Sequence, residues 1–264
     1  MSAFQLKISF SAICLLFFLV AFPLLSWAED ISALVAKRLS QDGKTLDLSR
    51  LKIGTSGAKQ LAGMESIAGI TTLYLQGNKI KYRGMKALAK SPNLAGLKHL
   101  DLWGNLLGDL GLKAISESPY LVQLESLKLW KNEISDDSIG LMVASKNFTN
   151  LKTLMLNDNL ISPGGAEILA SADGLAQLTT LNLFRNEIGD EGALAFANSQ
   201  NFPNLESLYM GQNNITDQGA VALIESQYFP QLKVLDLALN PLSEATTMAA
   251  FKANRKRKVQ IIYR

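Results

Sequence analysis

Apolar residues return along this chain on a fixed step of 27. Leucine stands at 73, 100, 127, 154, 181, 208 and 235, and Ile80, Leu107, Ile134, Ile161, Ile188, Ile215 and Leu242 follow on the same step. Between the two sets an asparagine recurs without slip, at Asn78, Asn105, Asn132, Asn159, Asn186, Asn213 and Asn240. Each unit reads LxxLxLxxNxI, then a polar turn, then a second apolar stretch. Alternation at Leu181 and Leu183 predicts a half-buried strand whose Asn182 and Phe184 face outward. Ala193, Phe196 and Ala197 recur at helical spacing and predict a helix closing the unit. Gly189-Asp190-Glu191-Gly192 opens that helix with acidic residues. Ser135-Asp136-Asp137 and Thr216-Asp217-Gln218 add side chains expected to cap the N-terminus. Asn198-Ser199-Gln200-Asn201 ends the helix, and Phe202-Pro203 returns the chain to the next strand.

Self-similarity at this period marks a solenoid. The seven matching units over residues 43–242 resemble the leucine-rich repeat family, and within it the ribonuclease-inhibitor-like class, in which a short strand is paired with a true helix. The resemblance implies an α/β fold: a curved horseshoe with its parallel sheet on the concave side and its helices on the convex side, in about eight 27-residue units. The animal inhibitors alternate slightly longer units and are rich in cysteine. This chain does neither, which separates it from their ribonuclease ligand.

Physical argument leads to the same shape. Strands sit about 4.8 Å apart and packed helices about 8 to 10 Å, so the coil bends toward its strands by roughly 20 to 25° per unit. Where each strand ends, inward-facing backbone groups need partners. An amide side chain, both donor and acceptor, can serve them across successive coils. The recurring asparagines are therefore expected to form a buried ladder. A solenoid also needs covered ends. Residues 29–42, with Ile31 to Leu39 as an amphipathic helix, are expected to cap one end. The first unit is degenerate, with Leu51 in the asparagine position. Residues 243–264 are expected to cap the other, with a helix over about Ala245 to Asn254 and a closing strand or lid at Val259 to Tyr263.

Residues 1–28 read as an export signal: Lys7, an apolar core from Ala12 to Phe22, and the small-residue site Ser26-Trp27-Ala28. An uncleaved anchor is the competing reading, since Ile8 to Leu25 is long enough to span. Cys14 follows Ile13 inside the apolar core, a context that does not fit lipidation. It is the sole cysteine, so the mature chain can form no disulfide. An exported protein of the bacterial periplasm, or a secreted one, fits best. Two N-x-T sequons, at Asn147 and Asn214, read as repeat residues. The chain holds 26 basic and 23 acidic side chains, and its end is asymmetric. No acid follows Glu244, whereas Lys252, Arg255, Lys256, Arg257, Lys258 and Arg264 do.

The outward strand positions can be read as columns. One runs Gln76, Trp103, Trp130, Asn157, Phe184, Gly211 and Ala238, placing both tryptophans of the mature chain side by side. Folding alone would accept any polar residue there, and tryptophan, tyrosine and arginine dominate binding energies. The expected partner-binding residues are Tyr74, Asp101, Trp103, Lys128, Trp130, Lys131, Met155, Asp158, Asn182, Phe184, Arg185 and Tyr209. Catalysis is not expected. His99, Asp101 and Ser126 share a face, but strand neighbours two apart point in parallel, and no oxyanion donors accompany them. Gly43-Lys44-Thr45 lacks the first glycine of a phosphate loop, where Arg38 stands. One histidine and no mature cysteine exclude a metal set of the usual kind, and no cofactor is implied.

The expectation is thus a non-catalytic, exported scaffold that captures a protein partner on its concave sheet, with no role in nucleic-acid binding. Two alternatives stay open. One is a structural cell-envelope protein whose basic tail holds lipid or a polyanion. The other is an exported effector acting on host proteins. Membrane contact is expected only through an uncleaved signal or that tail.

Overall fold

Each leucine pair forms a strand of only three residues, because the chain turns away soon after the second leucine. The computed structural model describes residues 30–256 and 258–263. The expected export segment, together with Arg257 and Arg264 of the basic tail, lies outside the described residues. Strands β1 (Thr45–Asp47), β2 (Thr72–Tyr74), β3 (His99–Asp101), β4 (Ser126–Lys128), β5 (Thr153–Met155), β6 (Thr180–Asn182), β7 (Ser207–Tyr209), β8 (Val234–Asp236) and β9 (Gln260–Ile262) form one parallel sheet in chain order. Register follows the repeat: Leu46 pairs with Leu73, Leu73 with Leu100, and so on to Leu235.

Helices stack along the opposite side: α1 (Ile31–Arg38), α2 (Gly54–Ala62), α3 (Tyr82–Ala89), α4 (Gly108–Ser116), α5 (Asp136–Val143), α6 (Pro163–Ala170), α7 (Gly189–Ala197), α8 (Asp217–Glu225) and α9 (Glu244–Lys256). Between the two layers lies a continuous apolar core. Leu73, Leu75 and Ile80 of one coil are buried with Met85 and Leu88 of its helix, and the same set recurs in each unit. At the first end α1 buries Ile31, Leu34 and Val35 in that core. At the other, β9 pairs with β8 and brings Ile261 beside Leu235. The last helix runs slightly beyond the expected 245–254. Among the described residues, no helix is long and apolar enough to cross a membrane.

The asparagine ladder is present. Asn159 Nδ2 donates to Leu129 O (3.1 Å) and Leu156 O (2.9 Å), while its Oδ1 accepts from Asn132 N (3.0 Å) and Ile134 N (3.1 Å). One amide thus serves two coils. The same scheme recurs at Asn105, Asn213 and Asn240. Asn78 and Asn186 accept one bond instead of two, and Asn132 is the least complete rung: its Nδ2 donates to Leu102 O and Trp130 O, but its buried Oδ1 accepts nothing.

Two further ladders stitch the convex side. Ser91, Ser118, Ser145, Ser199 and Ser226 each donate from Oγ to a carbonyl 29 residues earlier, at the end of the preceding helix. Asn147, the first sequon residue, lies buried and donates to Ile115 O, Ser116 O and Ser118 O, as a repeat residue should. At the helix N-termini, the carboxylates of Asp109, Asp136, Asp190 and Asp217 accept from a hydroxyl and a backbone N–H one coil later, at Ser135, Ser162, Thr216 and Ser243. Ser135 therefore does not cap its own helix as expected; it makes no cap bond and donates to Asp109 instead. Thr216 does cap, accepting from Gln218 N. Where the hydroxyl position holds Gly54, Gly108 or Gly189, the backbone turns left-handed instead, with φ between +56° and +61°.

Burial raises the Asp109 carboxyl, but hydrogen bonds from Ser138 and Ser135 outweigh it and hold it below the usual range. Asp217 is lowered from 3.8 to about 2, first by the Ser243 hydroxyl and then by Thr246. A depressed carboxyl contributes stability that is present above the unfolded value and lost as pH falls through the folded one. Between about pH 4 and pH 2, amide exchange should accelerate first in α8 and α9. Asp217→Asn should remove that acid dependence, and an unchanged exchange profile between the two pH values would contradict it.

The rungs should also differ in strength. Asn159→Ala orphans two buried donors, Asn132 N and Ile134 N, and one acceptor, Leu129 O, and should lower stability by about 3 kcal/mol in denaturant unfolding. Asn132→Ala, whose oxygen bonds nothing, should cost clearly less. Equal losses would count against the ladder's asymmetry.

Candidate functional site

At the corner just before each ladder asparagine the backbone is left-handed. Arg50, Gly77, Gly104, Lys131, Asp158, Arg185, Gln212 and Leu239 occupy this position with φ between +52° and +69°. Glycine adopts that conformation freely, whereas side-chain-bearing residues are held there at a cost of roughly 1–2 kcal/mol. Two units use glycine, and the next three place Lys131, Asp158 and Arg185 there. The corner is therefore strained wherever it carries a side chain, charged at Arg50, Lys131, Asp158 and Arg185 and uncharged at Gln212 and Leu239.

Inside this rim stand the aromatic residues. Trp103 and Trp130 stack with ring centroids 4.8 Å apart and planes inclined by 20°. The Arg50 guanidinium lies 5.3 Å above the Trp103 ring. Its side chain reaches there across Gly77, where an added Cβ would sit 3.2 Å from Arg50 Cγ. On the other side Trp130 Nε1 donates to Asp158 Oδ2 (3.4 Å), and Asp158 Oδ1 faces Arg185 Nε at 3.6 Å. Arg50, Trp103, Trp130, Asp158 and Arg185 thus form one ribbon across six coils. Trp130 remains 39% exposed despite the stack.

Beside Trp130 the sheet opens into a hollow of about 470 Å³ lined by Lys128, Trp130, Met155, Asn157, Asn182 and Phe184. Phe184 leans away from it, its ring edge lying over Gly211, where a Cβ would come within 2.7 Å of Cδ2 and Cε2. Asn182 is fixed by accepting from Phe184 N (2.9 Å). Asn157 is only 8% exposed, yet its side-chain amide makes no hydrogen bond. Lys128 Nζ faces Asp101 Oδ2 at 3.8 Å, and Asp101 Oδ1 accepts from Trp103 N. That engagement turns Asp101 toward the tryptophan and the lysine. His99 and Ser126 are strand neighbours in the register beside it.

Ten of the twelve expected residues therefore gather around the stack and the hollow, with Lys131 exposed on the rim. Tyr74 and Tyr209 share the face but flank the cluster on β2 and β7. Sequence reasoning missed Arg50, although stepping back 27 residues from Gly77 reaches it. It also gave Asn157 no role. A third omission lies where the chain enters the strands: Glu125 bonds Lys152 (2.7 Å) and Lys98 (2.9 Å), which lower its carboxyl from 4.5 to about 2. Among the described residues, no group of three or more His, Cys, Asp or Glu side chains is placed to hold a metal ion.

Comparison with known proteins agrees with the coil geometry. Residues 70–89, 97–116, 176–197 and 203–223 match the family described as Leucine Rich repeat. No curated protein matches the chain. Among solved structures, internalin C2 of Listeria monocytogenes is similar over 83% of this chain and 80% of its own, with a TM-score of 0.54 and 20% identity. An internalin encoded as inlF in the same organism gives 0.55 and 18%, over 88% of this chain and 63% of its own. At such identities the likeness is one of fold. With its 27-residue coils, its parallel sheet and four matched units, the chain has the leucine-rich repeat solenoid fold.

Proposed function

We propose that the protein is an exported, non-catalytic scaffold that captures a protein partner on its concave sheet, with residues 1–28 as signal, 29–42 and 243–264 as caps and 43–242 as the working solenoid. The observation that carries this reading is the stacked, partly exposed Trp103–Trp130 pair, held from both sides by charged residues. Solenoids of this kind present extended concave surfaces suited to binding. Aromatic and arginine side chains at the centre of a surface supply most of the energy of association.

Costs to folding support the reading. Trp103 Nε1 and Gln76 Oε1 are buried without partners. Lys131, Asp158 and Arg185 hold left-handed backbone, as Gln212 and Leu239 also do, where Gly77 and Gly104 adopt it freely. A surface tuned for stability alone would remove both costs, because local strain and unpaired polar groups persist where another demand maintains them.

One observation favours the envelope reading as a second possibility. On α9, Met248 and Phe251 are exposed, and the Arg255 guanidinium lies 6.0 Å from the Phe251 ring, beside Lys252. Salt-extractable membrane association would support that reading, whereas a soluble periplasmic or secreted pool supports partner capture.

Trp103→Ala with Trp130→Ala should leave the fold intact yet weaken partner capture by at least about a hundredfold. Equal capture in a pull-down by the double variant would remove this face from consideration. Arg185→Gly should relieve corner strain, keep stability within about 1 kcal/mol of the parent and weaken capture. A glycine variant that binds as tightly as the parent would show that the charge at this corner has no recognition role.

A further inference from the structure

The column that carries the stack lacks one rung. It runs Trp103, Trp130, Asn157, Phe184 on four successive strands, so a short amide stands where a third ring would complete the series. Two strand steps separate Trp130 from Phe184, about 9.6 Å of sheet. Because the Phe184 ring lies over Gly211, the space between the two rings is wider than that, room for a ring stacked on Trp130 at the 4.8 Å of the Trp103–Trp130 pair. Each wall is held in place. Trp130 is fixed by Trp103 and by its bond to Asp158, and Phe184 leans over Gly211, away from the gap. Asn157 lies at the base, nine-tenths buried, with the donor and acceptor of its amide unused.

Building on the capture reading above, we propose that this slot takes the side chain of a tyrosine from the partner protein. The ring extends the stack from Trp130, with Phe184 bounding the far side of the slot, and the hydroxyl pairs with the Asn157 amide. A phenol both donates and accepts, as that amide requires, whereas phenylalanine would bury the amide unpaired. An arginine or lysine would also stack on aromatic faces, but Lys128 lines the slot and Lys131 stands exposed on the adjoining rim. These cations repel a like charge and favour the electron-rich phenol.

The test is a titration of the full chain with N-acetyl-tyrosinamide and with N-acetyl-phenylalaninamide. It is followed by NMR of the Trp130 indole N–H and the Asn157 side-chain amide. The tyrosine amide should shift both signals saturably and bind about fivefold tighter than the phenylalanine amide. Asn157→Ala should bring the two affinities together. Asn157→Tyr, which supplies the ring from the chain itself, should abolish the saturable shift of the indole signal while keeping the unfolding midpoint at or above the parent's.

No saturable shift in the folded parent, equal affinities in the parent, or undiminished binding by Asn157→Tyr would each overturn the proposal. If Asn157→Tyr fails to fold, the tyrosine-to-phenylalanine ratio in Asn157→Ala decides alone. Should the slot fail while the double tryptophan variant still loses its partner, the capture surface survives without it. Should that variant keep its partner, the surface itself falls.

Discussion

A chain that turns sharply out of a sheet every 27 residues leaves inward-facing backbone groups at each corner, and none of them can reach water. The asparagine ladder resolves this, because one amide accepts from the preceding coil and donates both to that coil and to its own. A bond shared between coils fixes their register, and a fixed register puts every outward residue into a straight column. On the helical side the serine and aspartate ladders do the same work at the other corners. With all three corners stitched by side chains inside or between the layers, the outward strand positions carry little folding duty. That freedom is what allows two tryptophans to stand there.

The leucine and asparagine columns were legible because the same residue answers the same need in nearly every unit. The other ladders were not, since different chemistries meet one need. The serine column is interrupted by Met64 and Ala172, and the hydroxyl partner of each aspartate is replaced by left-handed glycine at 54, 108 and 189. Ser135 was misread because capping rules are local, while its acceptor Asp109 lies 26 residues away in the preceding coil. Arg50 was hidden by the degenerate first unit, where Leu51 replaces the marker asparagine, and by a side chain that spans two strand steps. The gap above Asn157 depends on the direction in which Phe184 leans, which no residue pattern states.

The left-handed corners connect fold to face. The ladder requires that backbone conformation in every unit, so the residue placed there always projects at the rim beside the outward column. Glycine at 77 clears a path for Arg50 to lie on Trp103. Further along, Lys131, Asp158 and Arg185 accept strain and bring charge to the same rim. Small corners and aromatic rings on one side, charged corners on the other, are consequences of one geometric demand answered with different side chains.

Asp158 joins the two halves. One carboxylate oxygen accepts from Trp130 and the other faces Arg185, so the ring and the guanidinium are oriented by the same group. Binding costs include the ordering of flexible side chains, of the order of 0.5–1.5 kcal/mol for each one immobilised. Here much of that ordering is already done by stacking, by the carboxylate and by the fixed sheet beneath. The surface is thus ordered before any association takes place. Rigid repetition therefore does more than support the face: it fixes the spacing of the rings and charges that stand on it.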